Sequence, residues 1–179
     1  MSEQDQQWRL LCGGDQQALG YFFKHYYRDL YQYAFAMLND HASAQDQLQL
    51  CFLKLWEKRA TLPLSVKVKP YLFQTLRYIV IDHLRQRKTY VQKLSNFKTI
   101  ASFAPEERAE ETKTQLEQQL QVAMQQLSPV QKEILYLRFY NKVSYTEIAE
   151  IMGMKHQSVR NSAHRALKKL RGQLLPAKQ

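Results

Sequence analysis

Glycine is scarce in this chain of 179 residues: there are five, and none falls between Gly20 and Gly153. Tight hairpins, Rossmann fingerprints and phosphate-binding loops need glycine at positions of positive φ, so those architectures are excluded across most of the length. Five prolines bring Gly plus Pro to 10 residues, below the roughly 12% of an ordinary chain. Two cysteines, Cys12 and Cys51, cannot build a disulfide framework, and they point to a reducing compartment. No apolar run approaches the roughly 18 residues that cross a bilayer. The N-terminus carries Glu3 and Asp5 and lacks the basic-then-apolar pattern of a signal peptide. What remains is a chain with 45% hydrophobic residues, enough for a packed core. The expectation is a soluble, cytoplasmic, all-α protein with no membrane insertion of its own.

Charge is distributed in blocks. Of the net +10, residues 61–100 supply +7 with Asp82 as their one acid, and residues 128–179 supply another +7. Residues 1–60 are close to neutral, and 101–127 carry −3. Two cationic blocks separated by an acidic stretch suggest two contacts with a polyanion, because clustered Lys and Arg displace condensed counterions from phosphates.

Apolar spacing places helices along most of the chain. Leu19, Phe22, Phe23, Tyr26, Leu30, Tyr33, Ala34 and Met37 follow a helical period, with Asp15 as the N-cap. A second helix after Asn39–Ala44 carries Leu48, Cys51, Phe52, Leu55 and Trp56 on one stripe. Pro63 and Pro70 bracket a short basic loop at Leu64–Lys69, and a third helix is expected from about Tyr71 to Arg87. Residues 91–113 lose periodicity and read as a linker with an acidic cluster from Glu106 to Glu111. Helical starts return at Thr114, Ser128 and Ser144, each three residues ahead of Glu or Gln. The organisation expected is a helical domain over 10–90, the linker, and a second helical domain over 114–175.

The second domain carries the sharpest motif. Ser144–Met152 forms a short helix closed by Gly153, and a second helix follows from His156 to about Arg171. Val159, Ala163, Ala166, Leu167 and Leu170 line its inner stripe, leaving a polar, basic outer face. Two short helices joined at a glycine, the second basic outside, describe a helix-turn-helix. Arg reaches guanine edges and Asn or Gln reaches adenine edges in the major groove. The candidate duplex-binding set is therefore Gln157, Arg160, Asn161, Ser162, His164, Arg165 and Lys168, of which Lys168, with Lys169 and Arg171 beyond it, is placed to hold phosphates.

The first basic block differs in kind. Between Lys67 and Tyr90, cations alternate with Tyr71, Phe73 and Tyr78. Single strands are held by positive grooves lined with rings that stack on unpaired bases. Lys67, Lys69, Tyr78 and Arg85 are the candidates here, and Asp82 joins them only as what a family resemblance implies. No CxxC, HxxxH or HxxE occurs, so a zinc site would have to be assembled from scattered histidines and two distant cysteines. Without a nucleophile elbow or a phosphate loop, neither an enzyme nor a cofactor or metal is expected.

These residues together resemble a bacterial sigma factor of the small, two-domain extracytoplasmic-function (ECF) group. In the first domain the resemblance rests on Gly14-Asp15, Ala44-Gln-Asp46, the run Gln49–Trp56, Tyr71-Leu-Phe73 and Asp82-His-Leu-Arg85. In the second it rests on Leu127-Ser-Pro129, Leu135–Phe139, Ser144–Ala149, Val159-Arg160 and Arg165–Arg171. The resemblance implies that Asp46, Gln49, Phe52 and Trp56 dock on the clamp of core RNA polymerase. It implies that 64–69 and 71–87 open the −10 promoter element and hold an extruded base, and that 156–171 reads the −35 element. It also implies an anti-sigma partner, often membrane-bound. The chain departs from the family pattern at Gln45, Leu50, Tyr78 and Lys155, where acids, an asparagine and a polar cap are usual. A stand-alone helix-turn-helix regulator of duplex operators is the competing reading.

Overall fold

The computed structural model describes residues 2–86 and 115–174, and the chain divides into two compact units, one on each side of the intervening stretch. The expected linker 91–113 and the cap at Thr114 lie outside the described residues. Every described element is helical. The N-terminal unit contains α1 (Glu3–Cys12), α2 (Gln16–Leu38), α3 (His41–Glu57), a 3-10 turn at Arg59–Thr61 and α4 (Val68–Gln86). The C-terminal unit contains α5 (Gln115–Gln125), α6 (Pro129–Leu135), a π turn at Tyr136–Tyr140, α7 (Tyr145–Met152) and α8 (His156–Leu174).

In the N-terminal unit α2, α3 and α4 pack on one another. The Asp15 carboxylate accepts from the Gln17 and Ala18 N–H groups and so starts α2. Asn39 ends it in the left-handed conformation, φ 51°, and Asp40 caps α3 through the Ser43 N–H. Phe22, Leu30, Tyr33, Leu48, Leu72, Phe73 and Leu76 are fully buried, each contributing about 1.5–3 kcal/mol by leaving water. Cys51 lies among them, its thiol pushed up to about 12 by burial, which makes it an inert core residue.

Two local details differ from the sequence expectation. α1 begins well ahead of residue 10: Ser2 and Asp5 form a capping box, and Trp8 and Leu11 enter the core. α4 begins at Val68, so Lys69 and Pro70 belong to the helix and not to the preceding loop. The first turn of a helix has no intrahelical partner for its N–H groups, so a proline is tolerated there. The regular bonding then starts with the Tyr71 N–H on the Lys67 carbonyl at 3.1 Å.

The C-terminal unit opens α6 and α7 with capping boxes, Ser128 with Gln131 and Ser144 with Glu147. α5 and α6 both pack on α8 around a core of Ala123, Met124, Leu127, Leu135, Ala166 and Leu170. Gly153 adopts φ 64°, ψ 35°, and Met154 N–H returns to the Ala149 carbonyl at 3.0 Å. A Cβ at Gly153 would meet no neighbour within 4 Å, so backbone conformation alone disfavours substitution. Gly153→Ala is expected to cost about 1 kcal/mol, and Gly153→Asn less, because asparagine tolerates the left-handed region. Urea unfolding of the two variants checks this, and an alanine variant as stable as the wild type would contradict it.

Candidate nucleic-acid interface

The turn Gly153–Lys155 joins α7 to α8, and these helices pack through Ile148, Ala149, Met152 and Val159. Val159, Ser162, Ala163, Ala166 and Leu170 of α8 face inward. Gln157, Arg160, Asn161, His164, Arg165 and Lys168 are exposed on the opposite side, at spacings of three and four that keep them on one face. The Gln157 side-chain amide donates to the Asn161 side-chain oxygen at 2.9 Å, joining two exposed amides one turn apart on this face. Ser162 corrects the expectation: it is 9% exposed and packs into the unit, so it cannot reach a base edge. Lys169 and Arg171 are exposed farther along the helix, where a groove-bound helix meets phosphates.

In the N-terminal unit, Tyr78 is 58% exposed on the outer face of α4, with Asp82 and Arg85 exposed one and two turns later. The Asp82 carboxylate accepts from the Gln86 amide at 3.0 Å. Lys67 is exposed ahead of α4, while Lys69 is half-buried with its ammonium 3.7 Å from the Asp29 carboxylate. Beside Tyr78 runs a groove of about 210 Å³ between α3 and α4. Leu55 and Ile79 form its apolar part, Tyr71, Thr75 and Tyr78 its α4 wall, and Lys54 of α3 and Lys58 at its C-cap the cationic rim. Rings next to ammonium groups suit an unstacked base and its phosphate. The sequence does not flag Lys54 and Lys58 for this role: they belong to α3 and its C-cap and not to the helix of Tyr78, and only the packing of α3 on α4 brings them there.

α3 places Asp46 and Gln49 together on its exposed face. Leu53, 52% exposed one turn beyond Gln49, joins them and is absent from the sequence-predicted set. An exposed leucine in line with polar positions is the only signal that could have flagged it. Phe52 corrects the docking expectation, being 5% exposed and packed against Phe23 with ring centroids 5.0 Å apart. Trp56 is half-buried beneath the Arg59 guanidinium, which sits 4.3 Å from its ring centroid. Among the described residues, no helix is long and apolar enough to cross a membrane, and no group of three His, Cys, Asp or Glu residues is placed to hold a metal ion.

One unit thus carries a helix-turn-helix with a basic outer face, and the other an aromatic, cationic face, the features of an all-α protein of the nucleic-acid-binding class. The model of Sigma-70 region 2 matches residues 22–90, and that of Sigma-70, region 4 matches 117–170. The chain belongs to the sigma-70 family of RNA polymerase sigma factors, in its ECF group. It is 27% identical over 151 residues to the ECF RNA polymerase sigma factor SigX of Bacillus subtilis, covering 82% of this chain and 78% of that protein. Its fold is similar to CnrH, solved in complex with the cytosolic domain of CnrY, with TM-score 0.69 and 18% identity over 94% of this chain and 95% of that one. It is also similar to the sigma factor RpoE of Bartonella quintana, solved with the anti-sigma factor NepR, with TM-score 0.62 and 22% identity over 87% and 96%. As a sigma factor the chain binds core RNA polymerase and promoter DNA through regions 2 and 4, and it is not an enzyme.

Proposed function

We propose that the two units divide promoter recognition between intact and parted DNA. α8 reads the −35 element in the major groove, with Arg160, Asn161 and Gln157 on base edges and Lys168, Lys169 and Arg171 on phosphates. The segment 62–67 and the outer face of α4 separate the strands at the −10 element. There Tyr78 stacks on an unpaired base, Lys67 and Arg85 follow the backbone, and the groove rimmed by Lys54 and Lys58 receives the extruded nucleotide. The single observation that carries this reading is the pairing, on one chain, of a rigid basic helix face with an aromatic groove rimmed by lysines. A stand-alone operator-binding regulator has no use for the second of these.

Asp46, Gln49 and Leu53 dock on the clamp of the polymerase, and Phe52 supports that surface from beneath. A protein inhibitor of the anti-sigma type, membrane-bound or free, competes for the same partner-binding surfaces. The crystallised partner of RpoE supports such an inhibitor. Asp46→Ala combined with Gln49→Ala is expected to lower retention by immobilised core polymerase about tenfold, since it removes two desolvated hydrogen-bonding groups at about 0.5–1.5 kcal/mol each. The same variant should keep the unfolding curve of the wild type. Undiminished retention would remove α3 from the docking surface.

A further inference from the structure

α1 lies outside both matched stretches, yet one of its side chains reaches the segment that precedes α4. Trp8 is 1% exposed. Its ring meets Phe22 of α2 edge-on at 5.7 Å between centroids, and Tyr71 of α4 edge-on at 5.4 Å. Its indole N–H donates to the Pro63 carbonyl at 2.9 Å, a bond spanning 55 residues of sequence. Pro63 belongs to the loop between the 3-10 turn and α4, and Tyr71 forms part of the groove wall beside Tyr78. One buried ring therefore holds both the loop and the wall.

We infer that Trp8 is a positioning residue for promoter opening, and that α1 is a strut aiming the loop 62–67 at DNA. The inference rests on the −10 reading given above. Strand separation requires the loop to present its side chains in a fixed direction when the duplex arrives. A loop that must be ordered at that moment loses the entropy of ordering from its interaction energy. The bond from Trp8 fixes the backbone at Pro63, with Leu62 turned into the core and Leu64, 67% exposed, turned outward. Lys67 is exposed three residues farther on. A buried indole N–H needs an acceptor, so the tryptophan that fills the space beside Phe22 also selects where the loop carbonyl sits.

The test uses Trp8→Phe in holoenzyme reconstituted with core polymerase, with opening followed by fluorescence of 2-aminopurine in the −10 element. Phenylalanine keeps a ring against Phe22 and Tyr71 and removes the donor. Opening is expected to slow about three- to tenfold, the size of one hydrogen bond, with core binding and −35 protection unchanged. On a template whose −10 region is already unpaired, initiation should return to the wild-type rate. A defect that persists on that template would overturn the inference, because it would mark general damage to the unit. Pro63→Gly, which leaves α1 intact and loosens the loop, should show the same slowing; opening at the wild-type rate in either variant would also overturn it. Tyr78→Ala is run alongside. If Tyr78→Ala slows opening and Trp8→Phe does not, the strut fails and the −10 reading stands. If neither slows it, both fail.

Discussion

Replacing Arg160 with alanine is expected to weaken holoenzyme binding at one base pair of the upstream element by about 1–3 kcal/mol, five- to more than a hundredfold, and to erase the preference there. Arg160 has the length and the bidentate fork for a guanine edge. It projects from a helix whose opposite side is fixed by buried Val159, Ala163 and Ala166. A side chain on a rigid, packed helix has less freedom to lose on binding, so it discriminates more strongly between bases. Lys168→Ala is the control. Without its ammonium on a phosphate, all sequences should bind more weakly alike and the salt slope should fall by about one, with the base preference retained. Selection from a randomised upstream element separates the two behaviours. An Arg160→Ala protein with unchanged sequence preference would place the reading residue elsewhere on α8.

Tyr78→Ala is expected to be nearly as severe, with loss of about 1–3 kcal/mol of stacking on the parted strand and a matching fall in open-complex formation. The ring is 58% exposed, so its removal takes little from the core. Tyr78→Phe should open DNA close to the wild-type rate, because stacking uses the π face and not the hydroxyl. Permanganate reactivity of unpaired thymines measures both variants. An alanine variant that opens normally, or a phenylalanine variant as defective as alanine, would contradict stacking as the role of this ring.

The parts of the fold that depend on neighbouring residues are legible in the sequence. Asp15, Ser128, Ser144 and Gly153 mark helix ends through bonds two to four residues long, and each does so in the structure. The helix-turn-helix is legible for the same reason, its inner stripe and its glycine turn being local. α1 is hidden because only Trp8 and Leu11 of its ten residues are buried, too few to show a period. The π turn at Tyr136–Tyr140 has its bond from the Asn141 N–H to the Tyr136 carbonyl, a spacing of five that no residue type announces. Ser162 misleads because a small hydroxyl side chain can sit on either side of a helix, and here it lies next to Ala163 on the packed one. The groove beside Tyr78 cannot be read from sequence at all, since its lysines come from α3 and its C-cap and its rings from α4.

One chain, joined to core polymerase, is expected to touch duplex at one place and part strands at another. Footprinting of the reconstituted holoenzyme on a responsive promoter tests this directly, with nuclease protection upstream and permanganate reactivity downstream read from the same sample. Both signals are expected together, and Arg160→Ala should weaken the first while Tyr78→Ala weakens the second. Upstream protection by the chain without polymerase, with no reactive thymines when polymerase is added, would contradict the account and return the chain to the class of stand-alone regulators.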